Sequence, residues 1–203
     1  GPAYLEWFEN GQKKLEQWIY YGKLHREDGP AYLEWFENGQ KKLEQWFQND
    51  KLYRRFEYFE NGQKKLEKWY TNDKLNKNYE PAYLEYFENG QKKLEQWYLN
   101  NKRHRKDKKH RKDGPTYLEW FEDGQKKLEQ WFKNDKLHRE DGPAYLEWVE
   151  NGQKKLEQWF KNDKLHRDRN RDNYRKDVPA YLEWFENGKK HIEMWFQNGE
   201  LNR

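Results

Sequence analysis

The chain has 203 residues, with 41 Lys and Arg against 37 Asp and Glu for a net charge of +4, and only 33% of it is apolar. An aromatic share of 19% keeps it out of the disordered class, since unfolded segments are poor in aromatics, and these rings with leucine suffice for a thin core. The absence of cysteine and serine excludes disulfides, thiolate metal sites and the usual Ser–His–Asp and Cys–His nucleophiles.

The stretch Pro2–Trp18 reads PAYLEWFENGQKKLEQW, and Pro30–Trp46 repeats it letter for letter. Variant copies follow from Pro81, Pro115, Pro143 and Pro179, so the chain reads as one continuous array of units of about 28 residues. The approximate repeats are 1–28, 29–54, 55–80, 81–113, 114–141, 142–177 and 178–203. The third lacks about five residues, the fourth carries an inserted KKHRKD, and the sixth has the longer tail DRNRDNYRKD. These length changes all fall between the LH and PAYLEW parts, where a surface loop belongs. The chain opens inside a repeat and closes on NGELNR, so both ends look cut from a longer polypeptide, and no targeting or membrane-spanning segment is visible.

Within each unit AYLEWFE and KKLEQWF alternate with strand periodicity, and ENGQ between them is a hairpin signal. Asn-Gly suits a three-residue loop, a type I turn closed by a bulge, with Gly11, Gly39, Gly62, Gly90, Gly124, Gly152 and Gly188 at the positive-φ position. That loop sets Leu33 opposite Leu43 and Glu34 opposite Lys42. Leu33, Trp35, Leu43 and Phe47 then share one face, and Tyr32, Phe36 and Trp46 the other. The second turn, QNDK, reads in the same way, with Gly22, Asp50, Asp73, Asn101, Asp135, Asp163 and Gly199 at the positive-φ position. Neither face is clean, so the expected fold is all-β: an elongated antiparallel β-meander of tandem hairpins, single-layered or solenoid-like. Each hairpin covers only its neighbour, through Trp7, Trp18, Trp35, Trp46, Trp69, Trp97, Trp120, Trp131, Trp148, Trp159, Trp184 and Trp195.

The run W-F-x-N-D/G-K-L-H-R-E-D-G-P-A-Y-L-E-W-F-E-N-G resembles the MORN repeat, especially the variant form common in bacterial repeat proteins and in repeat arrays of giant DNA viruses of amoebae. The unit is longer than the usual MORN repeat and lacks its dense glycines. The resemblance implies antiparallel hairpins in an elongated sheet, with roles in scaffolding, protein contact and sometimes membrane-lipid association. It brings no catalytic residues.

Candidate chemistry is thin. Carboxylates such as Glu34, Glu37 and Glu44 recur in every copy opposite lysines, whereas a catalytic pair needs one unique, pKa-shifted constellation. His25, His138 and His166 recur once per repeat, about 9–10 Å apart across two strands and too far to share one ion. His104 and His110 lie in a basic stretch. That stretch, Lys102 to Asp113, holds eight basic residues and two acids: Lys102, Arg103, Arg105, Lys106, Lys108, Lys109, Arg111 and Lys112 form an anion-contact loop. No catalytic, cofactor or metal site is expected. The expected role is a non-enzymatic scaffold pairing with itself, end to end or edge to edge, or with flanking repeats, in a filament, virion or surface component. The alternative is a binding module for glycans, acidic lipids or nucleic acid, using the aromatic rows and the basic loop.

Overall fold

The computed structural model describes residues 1–105, 114–167 and 178–202. Among these there is no helix; every regular element is a strand. The inserted KKHRKD and the tail DRNRDNYRKD, expected as surface loops, lie outside the described residues.

The chain divides into two compact units, residues 1–94 with 98–101, and residues 95–97 with 102–203. In the first, the strands Tyr4–Trp7, Lys13–Gln17, Tyr32–Trp35, Lys41–Gln48, Lys51–Tyr58, Lys64–Thr71 and Tyr83–Tyr86 form an antiparallel meander in chain order. The second repeats the pattern with Tyr117–Trp120, Lys126–Gln130, Tyr145–Trp148, Lys154–Gln158, Tyr181–Trp184 and Lys190–Met194. Most repeats add a short second hairpin, for example Phe132–Lys133 with Lys136–Leu137. In the third repeat the missing residues remove the connecting loop, and Lys51–Tyr58 becomes one eight-residue strand.

Hairpin register differs from the sequence expectation. The turn is the three-residue loop: Gly39 N–H donates to Phe36 C=O, Phe36 N–H donates to Gln40 C=O, and Gly39 has φ +82°. A second bulge follows, between Glu34 and Trp35, with Trp35 opposite Lys41 but Glu34 opposite Leu43. Leu33 therefore faces Glu44, not Leu43, and shares its face with Trp46, two residues beyond Glu44. The bulge brings Lys41 to the face of Glu44, where the two form an ion pair, while Lys42 still reaches Glu34 diagonally at 3.4 Å. Both lysines thus find carboxylates, which the directly opposed pairing would have denied to Glu44.

The second turn also differs. Asn49 and Asp50 both have positive φ (50° and 63°), and Gln48 pairs with Lys51, so this is a two-residue turn of the type I′ kind. Asn tolerates that region, so the pattern recurs at Asn72, Asn100, Asn134, Asn162 and Asn198.

Adjacent strands consequently alternate leucine and glutamate across the sheet. In the first unit one row runs Leu5, Glu16, Leu33, Glu44, Phe56, Glu67, Leu84. In the second it runs Leu118, Glu129, Leu146, Glu157, Leu182, Glu193. The core is correspondingly thin, resting on Leu33, Leu84, Leu118, Leu146 and Leu182, with Ala31, Ala82, Ala144 and Ala180 at zero exposure where each repeat enters its hairpin.

Candidate functional site

The glutamates of this row are the most unusual chemistry in the molecule, since Glu16, Glu44, Glu67, Glu95 and Glu129 are all buried. A buried carboxylate is costly unless hydrogen-bonded and paired, and here each arrives with its partners at fixed sequence offsets. Glu129 accepts from Lys126 Nζ at 2.9 Å and from Trp131 Nε1 at 2.8 Å, and the Arg139 guanidinium lies 3.7 Å from the Trp131 ring centre. The same arrangement joins Lys13, Glu16, Trp18 and Arg26, and again Lys154, Glu157, Trp159 and Arg167. Burial pushes the Glu16 and Glu157 carboxyls up, but hydrogen bonds from the lysine and tryptophan outweigh it and hold both below the usual carboxylate range. A general acid needs a raised pKa, so these groups are tuned the wrong way for that role.

The opposite face carries a second motif. The Tyr32 hydroxyl donates to Glu34 at 2.6 Å, and Tyr181 donates to Glu183 at 2.9 Å. Desolvation first, then the bonded Glu34 carboxylate, pushes Tyr32 up to about 12; Tyr145 beside Glu147 also rises to about 12. On the face of the glutamate row, Tyr58 and Tyr86 of the third and fourth repeats occupy the position of Trp35 and donate to Glu44 and Glu67 of the preceding hairpin.

Repeats are also locked at their turns. The Asn38 side chain accepts the Gln40 N–H and donates to the Glu60 carbonyl of the next repeat at 2.9 Å. Asn10 and Asn61 do the same toward Glu37 and Glu88. At the other hairpin ends Asp50 accepts the Leu24 N–H at 2.6 Å and donates its own N–H to Leu24 C=O. His25, His138 and His166 take part here, their Nδ1 atoms accepting the N–H groups of Asn49, Asn162 and Asn198. No group of three or more His, Asp or Glu among the described residues could hold a metal ion.

The twelve tryptophans fall into two sets. Trp18, Trp97, Trp131 and Trp159 donate Nε1 to the glutamate two residues before, and Trp46, Trp69 and Trp195 occupy the same repeat position. Trp7, Trp35, Trp120, Trp148 and Trp184 close the YLEW strands, with Lys13 over Trp35 and Lys154 over Trp184. The seven turn glycines all have positive φ, between 79° and 87°.

Of the basic stretch, Lys102 and Arg103 form a strand, Arg103 stacks on Phe132 at 4.8 Å, and Arg105 lies 4.1 Å from the Trp97 ring and donates to Pro115 C=O. Lys106, Lys108, Lys109, Arg111 and Lys112, with His110, lie outside the described residues. A cleft of about 490 Å³ borders Arg105, His138 and Arg139 in the second unit. Its Arg139 is engaged by Asp141 and Pro143 C=O, and His138 Nε2 is buried without a hydrogen bond, 3.5 Å from Glu140 Oε1.

Of the eight large hydrophobic residues exposed among the described residues, seven belong to the first or last repeat: Tyr4, Trp7, Ile19, Tyr20 and Tyr21 at one, Phe185 and Leu201 at the other. Sequence reasoning missed the buried glutamate ladder. Its signal was the fixed K-x-x-E-x-W spacing, with Arg eight residues after most of those tryptophans. No helix among the described residues is long and apolar enough to cross a membrane, which says nothing of strands. No family model matches the chain, and no curated protein matches it.

Proposed function

We propose that the chain is a non-enzymatic structural protein that works by pairing its sheet edges with another repeat of the same kind. The observation that carries this reading is the distribution of exposed large apolar residues, which gather at the first and last repeats. Within the repeats, indoles bond the carboxylate two residues before them, while histidines, turn amides and turn aspartates bond to neighbouring hairpins. Unpaired strands with apolar side chains readily add another strand. The resemblance to MORN repeats supports a scaffolding role.

Sedimentation across the micromolar range tests it. Association should rise with concentration and weaken when Tyr20 and Tyr21 are both replaced by Lys. A chain monomeric at every concentration would refute edge pairing.

A further inference from the structure

We propose that the second unit holds a binding site for a phosphate monoester, in the cleft of about 490 Å³ bordered by His104, Arg105, Lys133, His138 and Arg139. The site stands apart from edge pairing and does not depend on it.

Unpaired polar atoms mark the place. Among the described residues, the buried side-chain nitrogens without a hydrogen bond are Arg54 Nε, Trp69 Nε1, His104 Nδ1 and His138 Nε2. The first two belong to side chains stacked on each other, with the Arg54 guanidinium 4.1 Å from the Trp69 ring centre. The other two belong to residues that both line this cleft. A buried polar group is costly to leave unpaired, so two of them in one cleft point to a ligand that pairs with them.

The two histidines reach this state by different routes. His138 Nδ1 accepts the Asn162 N–H, which leaves the hydrogen of the neutral ring on Nε2, and the side chain is only 10% exposed. Nε2 is thus a fixed donor. His104 stands where His25, His138 and His166 each accept an amide of the next hairpin tip, but its own junction is looser. There Asp135 N–H reaches Arg103 C=O at 3.3 Å, against 2.9–3.0 Å at the other tips, and His104 Nδ1 gains no partner.

The charges around these atoms suit an oxyanion. Arg105 and Arg139 stack on Trp97 and Trp131, 4.1 and 3.7 Å from the ring centres, so both guanidinium groups are held in place. Arg139 is engaged by Asp141 and Pro143 C=O. Arg105 gives Nη1 to Pro115 C=O and has no carboxylate partner among the described residues, which leaves its other N–H groups for two oxygens of a phosphoryl group. Lys133 adds a third positive charge. Glu140 also borders the cleft, but its side chain is 79% exposed. It lies 3.5 Å from His138 Nε2 and 4.0 Å from Lys133 Nζ, outside the roughly 2.7–3.2 Å of a made hydrogen bond, so an oxyanion takes its place. The cleft lies within the roughly 300–1,000 Å³ of small-ligand sites, with Trp131 and Phe132 beside it for the organic body of a monoester.

The third repeat supplies the substitutions that test this. Lys77 stands there at the position of Arg105, 3.8 Å from the Trp69 ring centre, and Asn76 stands at the position of His138, its Oδ1 accepting the Asn100 N–H. Arg105→Lys and His138→Asn therefore keep the stack and the tip bond while removing the guanidinium fork and the Nε2 donor. Isothermal titration calorimetry of the full chain should show one saturable site for phenyl phosphate, and weaker binding of inorganic phosphate. Each variant should weaken phenyl phosphate binding roughly tenfold, with melting as in the parent. Arg26→Lys and His25→Asn, at the same positions of the first repeat, should leave the affinity unchanged. If melting falls in either cleft variant, Lys133→Gln decides instead, since that side chain is 56% exposed, and it should weaken binding roughly threefold. Absence of saturable binding by both probes would overturn the site. So would unchanged affinity in the cleft variants, or an equal loss in Arg26→Lys and His25→Asn.

Discussion

Replacing Glu129 is the sharpest probe of what holds the repeats together. The carboxylate sits between Leu118 and Leu146 on the two neighbouring strands and accepts from Trp131 Nε1 and Lys126. Glu129→Ala leaves the indole N–H without its acceptor, at a cost of about 1–3 kcal/mol for a buried donor. The Lys126 side chain is half exposed, so losing that ion pair adds at most about 1 kcal/mol. Removing the methylenes that pack on the two leucines adds about 1 kcal/mol more. A total near 3 kcal/mol lowers the melting temperature by roughly 6–12 °C for a chain of this size. Glu129→Gln keeps a carbonyl for Trp131 and forfeits chiefly the charge, so it should cost about 1 kcal/mol, or roughly 2–4 °C. Thermal unfolding followed by far-ultraviolet circular dichroism and by tryptophan fluorescence measures both. Equal losses in the two variants would place the stabilisation in the charge alone. No loss in either would remove the glutamate ladder from the account.

Gly39→Val should cost about 2 kcal/mol, because φ is +82° and a Cβ would meet Gln12 Oε1 at 3.0 Å; Gly11→Val shares the backbone strain but meets nothing within 4 Å, so it should cost less by denaturant titration. Stability should fall with acid: Glu16 and Glu157 are held below their ordinary 4.5, so their contribution is full above that pH and disappears as pH drops through their lowered values, read from melting at stepped pH. At the alkaline end Tyr32 and Tyr145 are raised from 10 to about 12, so their contribution is full below pH 10 and is lost as pH climbs toward 12, visible as tyrosinate absorbance rising with unfolding. Ala144→Leu, at a fully buried site, should cost about 1–3 kcal/mol, whereas Thr116→Ala, which restores the residue of most other repeats, should change stability by less than about 1 kcal/mol.

Much of the fold was legible in the sequence. Strand periodicity and the Asn-Gly turns give the antiparallel hairpins, and the repeat length gives their order. The register was not, because the expectation compared residues directly across the ladder and favoured Leu33 with Leu43. It lacked the bulge at Lys42, which satisfies Lys41, Lys42, Glu34 and Glu44 together and is invisible to any single pair. The second turn went astray for a related reason. Asn49 tolerates the left-handed region nearly as well as glycine does, so two such residues in succession permit a two-residue turn that a glycine count overlooks. The buried carboxylates escaped because a Glu beside a Lys reads as a solvated pair, and only the leucines, or Phe56, on its flanks make it an interior one.

The near-identity of the junctions has a consequence for how the chain finds its shape. A hairpin that offers Leu opposite its neighbour's Glu would accept almost any other hairpin of the array. Recognition therefore cannot tell the adjacent repeat from the next one along. Doubling the closed loop costs only about 0.6 kcal/mol, so closure entropy alone separates the two weakly. What penalises a skipped repeat is that the excluded hairpin keeps both its leucine and its glutamate edges in water. Correct ordering is thus a property of the whole array, enforced by the surface a mistake would leave bare. Local pairing favours it kinetically as well, since the adjacent hairpin meets its partner first.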